Sequence, residues 1–354
     1  MSRIHGLDLA RALAIIGMMA AHMGPEHFLS DGFPSVLFAV LAGVSMGIIA
    51  SRTSSLIDAR LRLITRAVIL VAIGVVLAAV QSYIVIVLIA IGVSYILLLP
   101  ALAWRTRWLV VLLGALVVLG PLVGALQTWL HPDWANEFFA DLLYGSYPIT
   151  AWLAYTLLGL LIHRVALAWD VVLFLLGTSA FLFLQGVIML TGLRTPEEGF
   201  VGEWLFAEPH TGGLFDVLSS ASFAAAVIGA CLLACRVGAI VWATYPLRSI
   251  GAMSLTVYIV HVIATTIANG TFVSPTAFED VAAVPSAPPG FPTAVPVEDP
   301  LWPTLFVAQL IGFLVFASLW RWRFRRGPAE WVVARIIVGA VSEPAPAALK
   351  SLPR

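Results

Sequence analysis

Charge is what this sequence has least of. Only 11% of its 354 residues are Asp, Glu, Lys or Arg, whereas a soluble chain carries about 25%. Cysteine is scarcer still: Cys231 and Cys235 are the only two. They stand four apart in an apolar run, on one helix face, and read as buried thiols rather than a disulfide or a metal site. No HExxH or CxxC spacing occurs, so nothing points to zinc. No soluble domain and no convincing internal repeat can be found, and no feature suggests a nucleic-acid partner. What remains is apolar: 61% hydrophobic residues and a mean hydropathy of +1.00. The expected fold class is all-α, a polytopic membrane helix bundle surrounded by membrane lipids.

Apolar runs bounded by charges, prolines and glycines give about ten spans, each near the length that crosses a ~30 Å hydrocarbon layer. They are 7–23, 33–50, 63–81, 83–103, 107–126, 148–166, 170–192, 214–235, 248–268 and 301–320. The run 237–247 is too short to cross and reads as re-entrant or interfacial; counting it would make eleven. The first run resembles a signal peptide in having Arg3 before an apolar core. Asp8 and Arg11 interrupt it, and no A-x-A site ends it, so it reads as a retained helix. With the N-terminus inside, eighteen of the nineteen basic residues fall on the inner side and only Arg194 outside. That asymmetry is what the positive-inside rule requires, and it places both termini in the cytoplasm. Residues 1–326 form the expected bundle. Residues 327–354 are expected to form a short interfacial helix from Ala329 to Val341, with Glu330 favourably placed in its first turn, and then a disordered tail.

The first span, DLARALAIIGMMAAHMGPEH at 8–27, organises the rest. Arg11 and His22 lie eleven residues apart, about three turns, so they share a face about 16 Å apart along the axis. Asp8, Arg11, Ile15, Met18 and His22 form one stripe. An arginine inside a membrane helix costs about 2.5–3.5 kcal/mol on insertion scales, so it normally faces protein or water. Taken alone, the stretch is equally explained by an Asp8–Arg11 pair, an arginine anchor and a satisfied helix-end histidine.

Other polar residues fall into two groups. In the ninth span Ser254, Tyr258, His261 and Thr265 make a polar stripe on an apolar helix, suited to interhelical hydrogen bonds or to a wet cavity. Histidine is the side chain best suited to proton transfer near neutral pH. His131 and His210 read as idle loop histidines. At the inner end, Arg62 and Arg66 share a face four residues apart, a geometry that serves as a topology anchor or binds phosphate bidentately. Arg11 reaches toward the same end. In the second span Gly43 and Gly47 allow close helix approach, with Ser45 as a polar contact.

These segments together resemble a known family. GLDLARALAIIGMMAAHM and PSVLFAVLAGVSMGI look like the start of heparan-α-glucosaminide N-acetyltransferase-like and YeiB-like bacterial membrane proteins. RLITRAVILVAIGVVL, IGVSYILLLPAL, PHTGGLFDVLSSASFAAAVIG, GAMSLTVYIVHV and RRGPAEW are similar to later segments of the same proteins, in the same order. Arg11 and His22 also fit the R-x10-H spacing of the related membrane acyltransferase family 3. The resemblance implies a multi-pass enzyme of the bacterial cell membrane. It would move an acyl group, acetyl above all, from cytoplasmic acyl-CoA to an extracytoplasmic glycan or lipid-linked hydroxyl or amine. It implies a catalytic histidine at the outer side of the first span or in the loop after it. His22 fits by spacing and His27 by placement, and His261 joins them from the ninth span. Arg11, Arg62 and Arg66 would hold the donor's phosphates, with Asp8, Ser45, Ser254 and Tyr258 as polar lining and no metal. The other reading of the same stripe is a transporter or flippase for an amphiphilic or anionic solute, with Arg11 and His22 on its path. The sequence leaves room for a homodimer.

Overall fold

The computed structural model describes residues 4–24, 32–80, 84–130, 147–195, 199–272 and 301–341. Among these residues every regular element is helical. In a bilayer an unpaired backbone amide costs several kcal/mol, so an apolar chain of this kind closes its hydrogen bonds within each helix. The helices are α1 (His5–Met23), α2 (Phe33–Ser51), α3 (Leu56–Val80), α4 (Val87–Leu98), α5 (Thr106–Leu130), α6 (Ile149–Leu161), α7 (Asp170–Thr191), α8 (Phe200–Leu205), α9 (Leu214–Ala234), α10 (Gly238–Ala243), α11 (Tyr245–Ala252), α12 (Ser254–Phe272), α13 (Trp302–Arg323) and α14 (Pro328–Ala340). Proline sits in the first turn of α2, α11, α13 and α14, where its missing N–H has no helical partner to lose.

Eight of these helices are long and apolar enough to cross a membrane, α6 counting with the turn that follows it. The chain is a multi-pass membrane protein. Its central helices are α1, α2 and α6, whose apolar windows are 61%, 67% and 61% buried, against 17% for α7 and α13. The outer helices present their apolar sides to lipid. Gly43 and Gly159 hold the centre together. A Cβ on Gly43 would stand 1.9 Å from the Thr156 carbonyl oxygen, and one on Gly159 1.9 Å from that of Val40. Of the small-residue pair in the second span, Gly43 therefore packs backbone on backbone, whereas Gly47 makes room for the His163 side chain.

Two of the ten expected spans take another form. The run 83–103 gives α4, twelve residues or about 18 Å, followed by a tight turn at Pro100–Ala103. Arg164 donates to the Leu102 and Trp104 carbonyls at 2.8 and 2.7 Å, closing that end. The run 248–268 is broken: α11 and α12 meet at 84° around Met253. Side-chain bonds hold α11 across the bundle. Buried Arg248 donates to the Val241 carbonyl and to Thr244, and it contacts His5 Nδ1 at 2.8 Å. Gly251 lies where a Cβ would meet the Asp8 carbonyl at 1.7 Å.

The break exposes the first amides of α12, and Glu330 of α14 takes them. Its carboxylate accepts from the Leu255 and Thr256 amides at 2.7 and 3.3 Å and from Thr256 Oγ1 at 2.6 Å. Glu330 lies in the first turn of its own helix, as expected, and it also caps another one. Residues 342–354, expected as a disordered tail, lie outside the described residues. Cys231 and Cys235 are both free thiols.

Candidate functional site

α1 and α12 carry the polar residues at both ends of the bundle. At the arginine-rich end Asp8 is 4% exposed and pairs with Arg11 at 3.2 Å and with Arg321 of α13 at 3.5 Å. Arg11 also donates to Ser45 Oγ at 2.9 Å, and Ser45 donates to the Leu41 carbonyl. Asp8 and Arg11 of the expected α1 stripe and the expected contact at Ser45 are thus one network. Arg11 and Ser45 line a cavity of about 50 Å³ together with Arg66, Tyr95, Ser254 and Phe38.

Arg66 and Leu255 belong to a second, wider space as well. This cleft of about 650 Å³ is bordered by Arg52, Arg62, Arg66 and Arg326, and by Glu330, Val333 and Ile337 on the side of α14. Its size falls within the ~300–1,000 Å³ of small-molecule sites. The Nε atoms of Arg62 and Arg66 are buried with no hydrogen-bond partner among the described residues. Glu330 is the one carboxylate among the lining residues, and α12 already occupies both its oxygens. Four guanidinium groups thus border one cleft, and guanidinium is a planar cation that can pair with anionic oxygens.

At the other end His22 Nδ1 lies 3.0 Å from His261 Nε2. The rings are nearly coplanar, 4° apart, with centroids at 5.3 Å. His22 is half-buried and His261 is 1% exposed. On its far side His261 Nδ1 meets Gln309 Oε1 at 2.5 Å and Thr265 Oγ1 at 3.2 Å. Thr265 in turn donates to Met23 Sδ at 3.0 Å. Between the two ends stands Tyr258, buried and stacked on Phe38 at 6.5 Å, and Phe38 lines the small cavity.

His210 lies in the loop before α9, beside Trp152, Tyr155 and Asp216. Its backbone is left-handed at φ 67°, uncommon for a residue with a Cβ. Asp216 holds the loop by accepting from the Gly212 amide at 3.0 Å and from Ser220 Oγ at 3.1 Å. The His210 ring packs on Tyr147 at 5.7 Å.

Of the residues singled out from sequence, the fold brings Arg11, Ser45, Arg66 and Ser254 to one cavity, Arg62 to the adjoining cleft, and His22 to His261. His27 and His131 lie outside the described residues. Sequence reasoning missed Gln309, Arg321, Arg52 and Arg326. Gln309 left a signal, as the lone polar side chain between Thr304 and Ser318 of an apolar run. Among the described residues no cluster of three or more His, Cys, Asp or Glu is placed to hold a metal ion.

A comparison with curated proteins finds no match. Residues 174–277, from α7 past the end of α12 and including His210 and His261, match the family model described as "Protein of unknown function (DUF418)", the YeiB-like family.

Proposed function

We propose that this chain is a transmembrane acyltransferase. The arginine-rich end faces the cytoplasm and takes acyl-CoA. The His22–His261 end faces outward and passes the acyl group to a hydroxyl or amine of a glycan or glycolipid. In this reading the chain crosses a bacterial plasma membrane ten times, with α4 and the α11–α12 pair as the two irregular passes and both termini inside. The single observation that carries the reading is the arrangement along α1 and α12. A guanidinium-lined cleft opens onto a cavity at Arg66 at one end, and a hydrogen-bonded histidine pair closes the other.

The chemistry follows from those groups. Arg52, Arg62, Arg66 and Arg326 bind the donor's phosphates as charge-assisted donors. The acyl-bearing arm runs past Arg11 and Ser254 toward Phe38 and Tyr258. His22 takes the acceptor's proton as its oxygen or nitrogen attacks the thioester carbon; the C–S bond breaks, and the departing thiolate regains a proton from His22. Asp8 and Arg321 keep Arg11 aligned from behind.

The test uses purified protein in nanodiscs. Binding of acetyl-CoA and longer acyl-CoAs is measured by calorimetry, and thiol release is then followed with candidate acceptors. Binding that weakens in Arg66→Ala, with turnover lost but binding kept in His22→Ala, supports the reading. Well-folded protein that binds no acyl-CoA overturns it and favours solute flux, for which Arg11 and His22 would lie on the permeation path.

A further inference from the structure

We propose that Gln309 and Thr265 are positioning residues that fix the proton positions of the histidine pair, so that His22 Nε2 is left as the proton acceptor. The inference deepens the transferase reading, and only its kinetic arm rests on it.

The argument is one of donors and acceptors. A neutral imidazole has one N–H and one bare nitrogen, and which is which is set by its neighbours. Thr265 gives its hydroxyl hydrogen to Met23 Sδ, so toward His261 Nδ1, 3.2 Å away, it presents lone pairs. Gln309 presents its carbonyl oxygen to the same nitrogen at 2.5 Å. Two acceptors converge on Nδ1, so Nδ1 carries the hydrogen and Nε2 of His261 is bare. Nε2 can then only accept from His22 Nδ1, at 3.0 Å. With its hydrogen on Nδ1, His22 has its lone pair on Nε2. Four helical positions on three elements, Met23, Thr265, His261 and Gln309, thus determine the state of a fifth residue. Without the two acceptors the order reverses: His261 donates from Nε2, His22 accepts at Nδ1, and the hydrogen moves to His22 Nε2, where it blocks base chemistry.

The experiment is ¹⁵N solid-state NMR of the full chain in lipid, with labelled histidine and assignment by His261→Ala and His22→Ala. The expected wild-type spectrum has both rings in the Nδ1–H form. Gln309→Met with Thr265→Val keeps the volume, removes both acceptors and should return both rings to Nε2–H. Gln309→Glu keeps an oxygen at the same reach and should retain the Nδ1–H form. In turnover, the double variant should lose at least tenfold in kcat at unchanged acyl-CoA KM, and Gln309→Glu should recover most of it. A wild-type His261 in the Nε2–H form overturns the inference without any variant, as does a spectrum that the double substitution leaves unchanged. If the wild-type protein turns over no acyl-CoA, the transferase reading fails and the spectra still decide the positioning role.

Discussion

Arg11 of α1 and Arg66 of α3 line the same small cavity, and no carboxylate lines it with them. Asp8 offsets the charge of Arg11 from outside the cavity, and an anion in the outer cleft would offset that of Arg66. CoA or pyrophosphate should therefore raise the Tm of the purified protein, by an amount that grows with ligand concentration. High salt should shrink the shift, because the outer cleft is open and screened. Tryptophan fluorescence melts at two ionic strengths check this, and a shift that ignores salt would argue against phosphate binding.

The guanidinium groups of Arg62 and Arg66 at the border of the cleft give a sharper expectation. A hydrogen bond to a charged group contributes about 1.5–3 kcal/mol, so Arg62→Ala or Arg66→Ala should weaken CoA binding about tenfold or more. Arg107→Ala, on a residue outside the cleft lining, should change it little. Calorimetry on the three variants separates a local site from general attraction to an arginine-rich face.

His22→Ala should lower the transfer rate by about 10²–10⁴-fold, the usual range for a lost general base. Its acyl-CoA affinity should stay unchanged, because the arginine-bordered cleft does not include it. Single-turnover thiol release with saturating donor is the measurement. A matched loss of binding would instead show that His22 supports the fold or the donor site.

Gly159→Ala should destabilise the bundle, since the new methyl would meet the Val40 carbonyl at 1.9 Å and the backbones would have to part. Overpacking of this kind costs about 1–3 kcal/mol. Gly186→Ala, where a Cβ meets nothing within 4 Å, is the control. The comparison is read as Tm in one detergent.

Glu330→Ala should free α14 while leaving the rest of the bundle intact. Loss of a helix cap costs about 0.5–2 kcal/mol, and Glu330 is the bond between α14 and the α12 amides. Hydrogen exchange at residues 328–340 should speed up, and CoA affinity should fall because α14 forms one side of the cleft. Unchanged exchange would mean that the apolar face of α14 holds it in place without the cap.

Much of this was written locally. The apolar runs and the prolines that open helices act within a few residues, so their effects follow from sequence order. Ser254, Tyr258, His261 and Thr265 stand at steps of four, three and four, and the helical period alone puts them on one face. Glu330 shows where local reasoning stops. Its position in the first turn of α14 suited its own helix dipole, but a broken neighbour offered better donors.

The sequence by itself determined that this chain is helical, lies in a membrane, and carries a polar stripe on α1 and another on α12. Hydropathy and helical period are properties of consecutive residues. Only the tertiary structure decided that the two stripes meet at His22 and His261, that Gln309 of α13 closes the pair, and that Arg66 joins the cleft to the cavity beside Arg11. Those contacts unite residues far apart in the chain, and the backbone approach at Gly43, Gly159 and Gly251 sets which helices become neighbours. The 84° break before Ser254 belongs to the same level: Arg248 on one side of it and Leu255 on the other bond to other elements, His5 and Glu330.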